Sequence, residues 1–291
     1  MQDNNYSVED MVIERMTLQE LIEIYDYAAT EGWNPCKGIA KAVYNIDPKG
    51  FWVGKIDGNI VASISIVRYQ QHYGFIGLFI VKPPYRGGLI GYRIADYAVD
   101  DAKSRGVEIL ACDGVPQNLH KYEQQGFALD SFITRYQCDV PENMSETNHC
   151  VAVNKSDYSK VNNFIQYFEP ENRDVFLSGW QNSKNVQGLI IEKNGRVQAY
   201  GSLCRTYEGY RIGPLYAYNH DVASHIFNGL MLKAEQGHSI HIDVPDKNKA
   251  GNQLVKKWGM EPSWVLGRMY KGGKPDINLS CVFGTWLAEV G

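Results

Sequence analysis

Two prolines, an arginine and three glycines crowd the segment Phe79-Ile-Val-Lys-Pro-Pro-Tyr-Arg-Gly-Gly-Leu-Ile-Gly91. The apolar run that opens it reads as a strand, which Pro83 and Pro84 end because they cannot donate to a sheet ladder. From Ile90 to Ser104 the pattern reads as a helix, with Ile94, Tyr97, Ala98 and Ala102 facing inward. Glycines at such a turn let backbone N–H groups converge, and the helix N-terminus adds about half a positive charge. Arg86 contributes a full charge on forked donors. The chemistry of this turn is anion binding, and a pyrophosphate is its natural occupant.

The elements that must position this turn occur twice. Gly58-Asn-Ile-Val-Ala62 with Arg68 recurs 137 residues later as Gly195-Arg-Val-Gln-Ala199 with Arg205. Gly77 recurs as Gly213, 136 residues on, and Gly126-Phe127 as Gly259-Met260, 133 residues on. So constant a spacing marks two copies of one fold, each of about 140 residues. A boundary in the polar stretch from Pro141 to Asn148 predicts units at 1–140 and 150–291. In the first copy Thr17-Leu-Gln-Glu20 is a capping box, and Leu18, Leu21, Ile22, Tyr25 and Ala28/Ala29 form an apolar stripe. Strands are predicted over 51–56 and 60–69 about an Asp57-Gly58 turn, then over 75–81, 107–112 and 127–138. That order gives an α/β fold class, an α+β mixed sheet in each copy.

The strand, Tyr85-Arg-Gly-Gly88 with Gly91, the helix, the next strand and Tyr122-Glu-Gln-Gln-Gly-Phe127 together resemble the GNAT N-acetyltransferase superfamily. Glu31-Gly-Trp-Asn-Pro35, Asp47-Pro-Lys-Gly-Phe51 and Arg268-Met-Tyr-Lys-Gly-Gly272 extend the resemblance to tandem GNAT proteins over essentially the whole chain. Three positions depart from the pattern. Leu89 replaces a central glycine, Val115 stands where the family commonly has Asn, and Cys36 replaces a glycine. The resemblance implies two tandem GNAT-like acyl-CoA N-acyltransferase domains, with acetyl-CoA as cosubstrate. It implies main-chain binding of pantetheine by Phe79, Ile80 and Val81, as though the cosubstrate were an added strand. It further implies a pyrophosphate held by Arg86, Gly87, Gly88, Leu89, Ile90 and Gly91, and Tyr122 as the acid that protonates the departing thiolate.

An acceptor ammonium must lose a proton before it attacks. Asp113 and His72 are candidate bases, and a water chain is an equal option. Trp33, Asn34 and Tyr69 are candidates for lining the acceptor pocket. In the second copy, Tyr218-Asn-His-Asp221 joins strand to helix without arginine or glycine, and Asp221 is expected to cap a helix over 222–236. Asn248 keeps the family asparagine there, while Val255 replaces the tyrosine. The second copy is therefore expected to keep the fold, drop the cosubstrate and cover the acceptor side, with Arg205, Tyr207 or Asp243 reading the acceptor's charge.

Composition narrows the partners. The 291 residues are 44% apolar, ample for packed cores, and the net charge of −4 without a basic cluster argues against nucleic acid, including tRNA. No apolar run approaches the ~20 residues of a membrane span, and the first residues lack a secretion-signal pattern. The six cysteines are scattered without metal-ligand spacing, so no metal is expected and a reducing cytoplasmic setting is. The reading is an N-acetyltransferase moving acetyl from acetyl-CoA to a primary amine of a small molecule or protein, directly, in a ternary complex. The alternative is a non-catalytic acyl-CoA-binding or interaction protein. Acceptor identity and oligomeric state stay open.

Overall fold

The structure is a computed structural model that describes residues 7–69, 72–142, 144 and 150–291. Most of the expected boundary stretch and the first six residues lie outside the described residues. The first copy runs β1 (Val12–Arg15), α1 (Leu18–Thr30), α2 (Ala40–Tyr44), β2 (Phe51–Ile56), β3 (Asn59–Tyr69), β4 (Tyr73–Val81), α3 (Ile90–Ser104), β5 (Ile109–Gly114), α4 (Leu119–Gln124) and β6 (Ala128–Asp139). The second runs β7 (Val151–Ala152), α5 (Tyr158–Ile165), α6 (Asp174–Gln181), β8 (Val186–Lys193), β9 (Arg196–Arg205), β10 (Tyr210–Ala217), α7 (His220–Met231), β11 (Ser239–Pro245), α8 (Lys249–Lys257), β12 (Glu261–Lys271) and a short β13 (Val282–Gly284).

Local signals place several of these boundaries. The Thr17 hydroxyl accepts from the Glu20 amide at 3.2 Å while the Glu20 carboxylate accepts from the Thr17 amide at 2.7 Å, which starts α1. Asp57 and Gly58 both take positive φ, 50° and 75°, and close the β2–β3 hairpin. The buried stripe of α1 is Leu21, Ile24, Tyr25 and Ala28, one step round from the expected one, and Ile22 is exposed. Tyr97 of α3, expected inward, lies half exposed with its ring edge-on to Trp52 at 4.8 Å.

Strand order carries the main departure from a simple duplication. One sheet runs β1-β2-β3-β4-β5-β12-β6-β11-β10-β9-β8-β7, and β13 pairs with β10. The last long strand of the second copy, β12, lies antiparallel between β5 and β6 of the first. In turn the second half of β6 pairs with β11 of the second copy, Ser239↔Asp139 to Pro245↔Ile133. Each copy thus closes its sheet with a strand lent by the other. The face under α1, α2, α5 and α6 is one shared core, in which Leu21, Phe51 and Phe75 join Phe164, Trp180 and Trp286. On the opposite face α3 and α4 cover the first copy, and α7 and α8 cover the second. No helix among the described residues is long and apolar enough to cross a membrane.

Candidate active site

Strands β4 and β5 run parallel and are paired only from Tyr73↔Ile109 to Ile76↔Cys112. Beyond that point β5, whose other edge pairs with β12 from Leu110 to Gly114, parts from β4, which continues to Val81. The β4 edge from Gly77 onward is therefore not taken up by β5. A bulge sits at the same level, where β4 takes three residues from Gly77 to Ile80 against the two-residue step from Ser65 to Ser63 on β3, and Leu78 takes φ 46°. The buried Ser63 hydroxyl donates to the Leu78 carbonyl at 2.8 Å and fixes the bulge. A bulge re-aims the backbone groups of its strand, here into the opening between β4 and β5.

The strand leads into Pro83–Tyr85, a short 3-10 turn, then Arg86, the glycines and α3. Gly87 has φ 83°, where a Cβ would strain the backbone, and a Cβ at Gly87 or Gly88 would meet nothing within 4 Å. Leu89, the N-cap residue, is exposed and offers no side-chain acceptor, so the first amides of α3 have no side-chain cap. Open space, uncapped amides and the helix dipole fit a pyrophosphate. Arg86 reaches back along the strand: its Nε donates to the Val81 carbonyl and its Nη2 to Glu31, both at 2.7 Å. Burial pushes the Glu31 carboxyl up, but Arg86 and Tyr27 outweigh it and hold it below the ordinary range. Ile90 is buried at the helix start, and a Cβ at Gly91 would meet Val81 and Phe79 at ordinary contact distance.

Tyr122 of α4 closes this side. Its ring lies against Gly114 at the end of β5 and edge-on to Phe127 at 5.9 Å. Burial, with Cys112 and Asp113 adding to it, pushes its hydroxyl above the ordinary tyrosine value, so it stays protonated.

On the opposite face a pocket of about 450 Å³, counting its open mouth, is walled by Tyr25, Trp33, Asn34, Leu78, Arg135, Arg211, Trp264 and Glu289 among others. Leu78 belongs both to this wall and to the β4 bulge. Trp33 lends its carbonyl to Arg135 at 3.2 Å, and the Asn34 side chain makes two hydrogen bonds to the backbone of Glu208 in the second copy. Tyr69 is not part of this wall. Its hydroxyl donates to the Val290 carbonyl at 2.9 Å and accepts from Arg173 at 3.1 Å, pinning the chain's last residues. Of the candidate bases, Asp113 is occupied by Arg268 at 2.5 and 2.9 Å. His72 precedes β4 at the end remote from the bulge and lies in the open beside Glu108.

Asp243, expected to read the acceptor's charge, does not line this pocket; it is buried and bonded to two arginines that do. Arg135 grips it at 2.7 and 3.0 Å and Arg211 at 3.0 Å. Burial would raise this carboxyl, but the two guanidiniums override burial and hold it well below the usual range. Arg205 and Tyr207 lie outside the wall; Arg205 pairs with Glu235, and the Tyr207 hydroxyl binds Asp26. Arg135, Arg211, Trp264 and Glu289 were not foreseen as site residues. Glu289 alone left a trace, a single carboxylate in the otherwise apolar run Trp286-Leu-Ala-Glu-Val290.

The second copy has filled its corresponding gap. Strands β10 and β11 are parallel only from Tyr210↔Ile240 to Ile212↔Ile242, and then β13 pairs with β10 at Leu215 and Tyr216. Asn248 donates to the Val282 carbonyl of this inserted strand at 2.8 Å while capping α8. The helix after β10 begins at His220, not Val222. Its cap is Asn219, which accepts from the Val222 amide at 3.1 Å, and not the exposed Asp221. Asn219 has the extended backbone that a cap needs, and Asp221 already lies inside the helix. Among the described residues no group of three or more His, Cys, Asp and Glu could hold a metal ion.

Comparison with known proteins agrees with this duplication. A sequence-family model described as "Acetyltransferase (GNAT) family" matches residues 18–127, and one described as "Acetyltransferase (GNAT) domain" matches residues 166–284. A holothin acyltransferase from a Pseudoalteromonas species is 27% identical over 89% of this chain and 87% of its own length. A crystal structure of a putative acetyltransferase from Pyrococcus horikoshii superposes with a TM-score of 0.81 over 100% of this chain and 99% of that one, at 20% identity. A tandem GNAT protein from the clavulanic acid biosynthesis pathway gives 0.64 at 12% identity, over 91% of this chain and 99% of that one. The chain belongs to the GNAT acetyltransferases, as a tandem protein with two GNAT domains built into one sheet.

Proposed function

We propose that the chain is an N-acetyltransferase that moves an acetyl group from acetyl-CoA to a primary amine of a small molecule, directly, in a ternary complex within the reducing cytoplasm. The observation that carries this reading is the contrast between the copies. The second plugs its strand gap with β13 and caps the following helix, whereas the first leaves the gap unpaired by β5 above an uncapped helix start. A gap that one copy fills with a strand fits a strand-like pantetheine in the other. On this reading the 1–140 unit is catalytic and the 150–291 unit covers the acceptor.

The backbone of Phe79, Ile80 and Val81 holds the pantetheine arm, Arg86 to Gly91 the pyrophosphate, and the bulge amides polarise the thioester carbonyl. Acetyl-CoA supplies the activated acyl group. Tyr122 holds a proton ready for the departing sulfur, and Trp33, Asn34 and Trp264 shape the acceptor side. Enclosure of the pocket between the copies supports a small acceptor over a protein, as does the name of the Pseudoalteromonas relative. Acetyl-CoA is expected to raise the melting temperature and to release thiol when a panel of small amines is supplied. Stabilisation without thiol release across the panel favours the non-catalytic binder. One observation leans that way, the engagement of Arg86 by Glu31.

A further inference from the structure

We propose that Glu289, delivered by the second copy's C-terminal segment, is the general base that takes the proton from the acceptor amine. The inference rests on the acyl-transfer reading above. Glu289 forms part of the pocket wall together with Leu78, the residue at the bulge. Its backbone presses on β4: a Cβ at Gly77 would come within 2.5 Å of the Glu289 Cα, an approach that only glycine permits. The carboxylate accepts a hydrogen bond from the Tyr25 hydroxyl at 2.9 Å. The segment is held immediately beyond the reacting group. Tyr69 and Arg173 bind the Val290 carbonyl, and Gly291 lies against Phe75. The other candidates are spent or remote, Asp113 on Arg268 and His72 beyond the far end of β4.

The surroundings suit a base. Tyr25 of α1, Arg135 of β6, Arg211 of β10 and the thiols of Cys36 and Cys204 face Glu289, and both arginines are committed to Asp243. Burial raises the proton affinity of this carboxyl, which the Tyr25 hydrogen bond and the arginines only partly offset. Starting from the neutral amine, Glu289 takes one proton from nitrogen as the nitrogen–carbon bond forms at the acyl carbon. The carbon–sulfur bond then breaks with its electron pair on sulfur, which takes one proton from Tyr122. One proton leaves nitrogen and one arrives on sulfur, and solvent exchange resets both residues.

The test uses the full chain, acetyl-CoA, and the planar amines aniline and 2-aminopyridine, chosen for the aromatic wall of Tyr25, Trp33 and Trp264. Glu289→Gln keeps shape and is expected to leave the acetyl-CoA-induced melting shift in place. Its transfer rate should fall about 10²- to 10⁴-fold, and the acidic limb of the pH profile should vanish. Infrared difference spectra of the protein without amine should show a titrating carboxyl band in the wild type that Glu289→Gln lacks. Tyr25→Phe, which removes the donor to the carboxylate, should move both limb and band to higher pH. Wild-type transfer with an unchanged acidic limb in Glu289→Gln overturns the assignment, as does an unmoved band in Tyr25→Phe. Absence of transfer by the wild type, despite acetyl-CoA binding, instead overturns the acyl-transfer reading and the base with it.

Discussion

Arg135 and Asp243 lie 108 residues apart in the chain and meet in a two-point ion pair, Nε–Oδ1 at 2.7 Å and Nη2–Oδ2 at 3.0 Å. One comes from the last strand of the first copy and the other from β11 of the second, so the pair fastens the seam between copies. Arg211 adds a third contact at 3.0 Å, and among the described residues Asp243 is the single carboxylate bonded to both guanidiniums.

Replacing Asp243 with Asn should therefore cost about 3–5 kcal/mol, because it leaves buried positive charge uncompensated. Urea unfolding at neutral pH measures this loss. The pH dependence has a definite sign. The folded Asp243 carboxyl lies below its unfolded value, so its contribution is complete above the unfolded pKa of about 3.9 and is lost as pH falls below it. The wild type should lose stability more steeply than Asp243→Asn on acidification through that range.

Glu31 competes for the arginine expected to meet the pyrophosphate. The pair is half exposed, and such contacts are worth about 0.2–1 kcal/mol. Glu31→Gln should free Arg86 and tighten acetyl-CoA binding by up to about fivefold in calorimetry. Arg86→Glu should abolish the acetyl-CoA-induced melting shift. Equal affinity in wild type and both variants removes Arg86 from the site.

Signals confined to a few neighbouring residues were the ones legible in the sequence. The Thr17–Glu20 capping box, the Asp57-Gly58 turn and the Pro-Pro-Tyr-Arg-Gly-Gly turn each name a backbone conformation, and each lies where it was expected. Pairing was not legible. Alternating side chains specify which face of β12 is buried, but not that its neighbours are β5 and β6 of the other copy. The same gap separates Trp33 and Asn34, which line the pocket proposed for the acceptor, from Tyr69, whose hydroxyl is bound by the terminal segment. Aromatic content in a strand does not reveal what will be laid on top of it. Glu289 shows the converse: the role proposed for it depends on a tertiary approach to Gly77 that no local pattern encodes.

Tyr122 is held by packing on Gly114 and Phe127, contacts its ring makes without the hydroxyl. Tyr122→Phe should leave the fold and acetyl-CoA affinity intact and lower the transfer rate about 10²-fold or more, as loss of a general acid does. Because burial raises the hydroxyl above the ordinary tyrosine value, the wild-type rate should not fall from its ionisation at or below pH 10. A rate for Tyr122→Phe equal to wild type assigns the thiolate's proton to solvent.

The lent strand decides whether the first copy can stand alone. Residues 1–142 on their own lose β12 from between β5 and β6 and lose β11 from the outer edge of β6. They also lose Phe164, Trp180 and Trp286 from the shared core, each worth about 1.5–3 kcal/mol when buried. The three side chains alone come to about 4.5–9 kcal/mol, comparable to the 5–15 kcal/mol that stabilises an ordinary domain, before the lost strand pairing is counted. The fragment should show no cooperative thermal transition and should aggregate through its exposed β5 and β6 edges. Adding residues 150–291 as a separate chain should restore a single cooperative transition and the acetyl-CoA-induced shift. A fragment that folds alone and binds acetyl-CoA as the full chain does refutes the interdependence of the two copies.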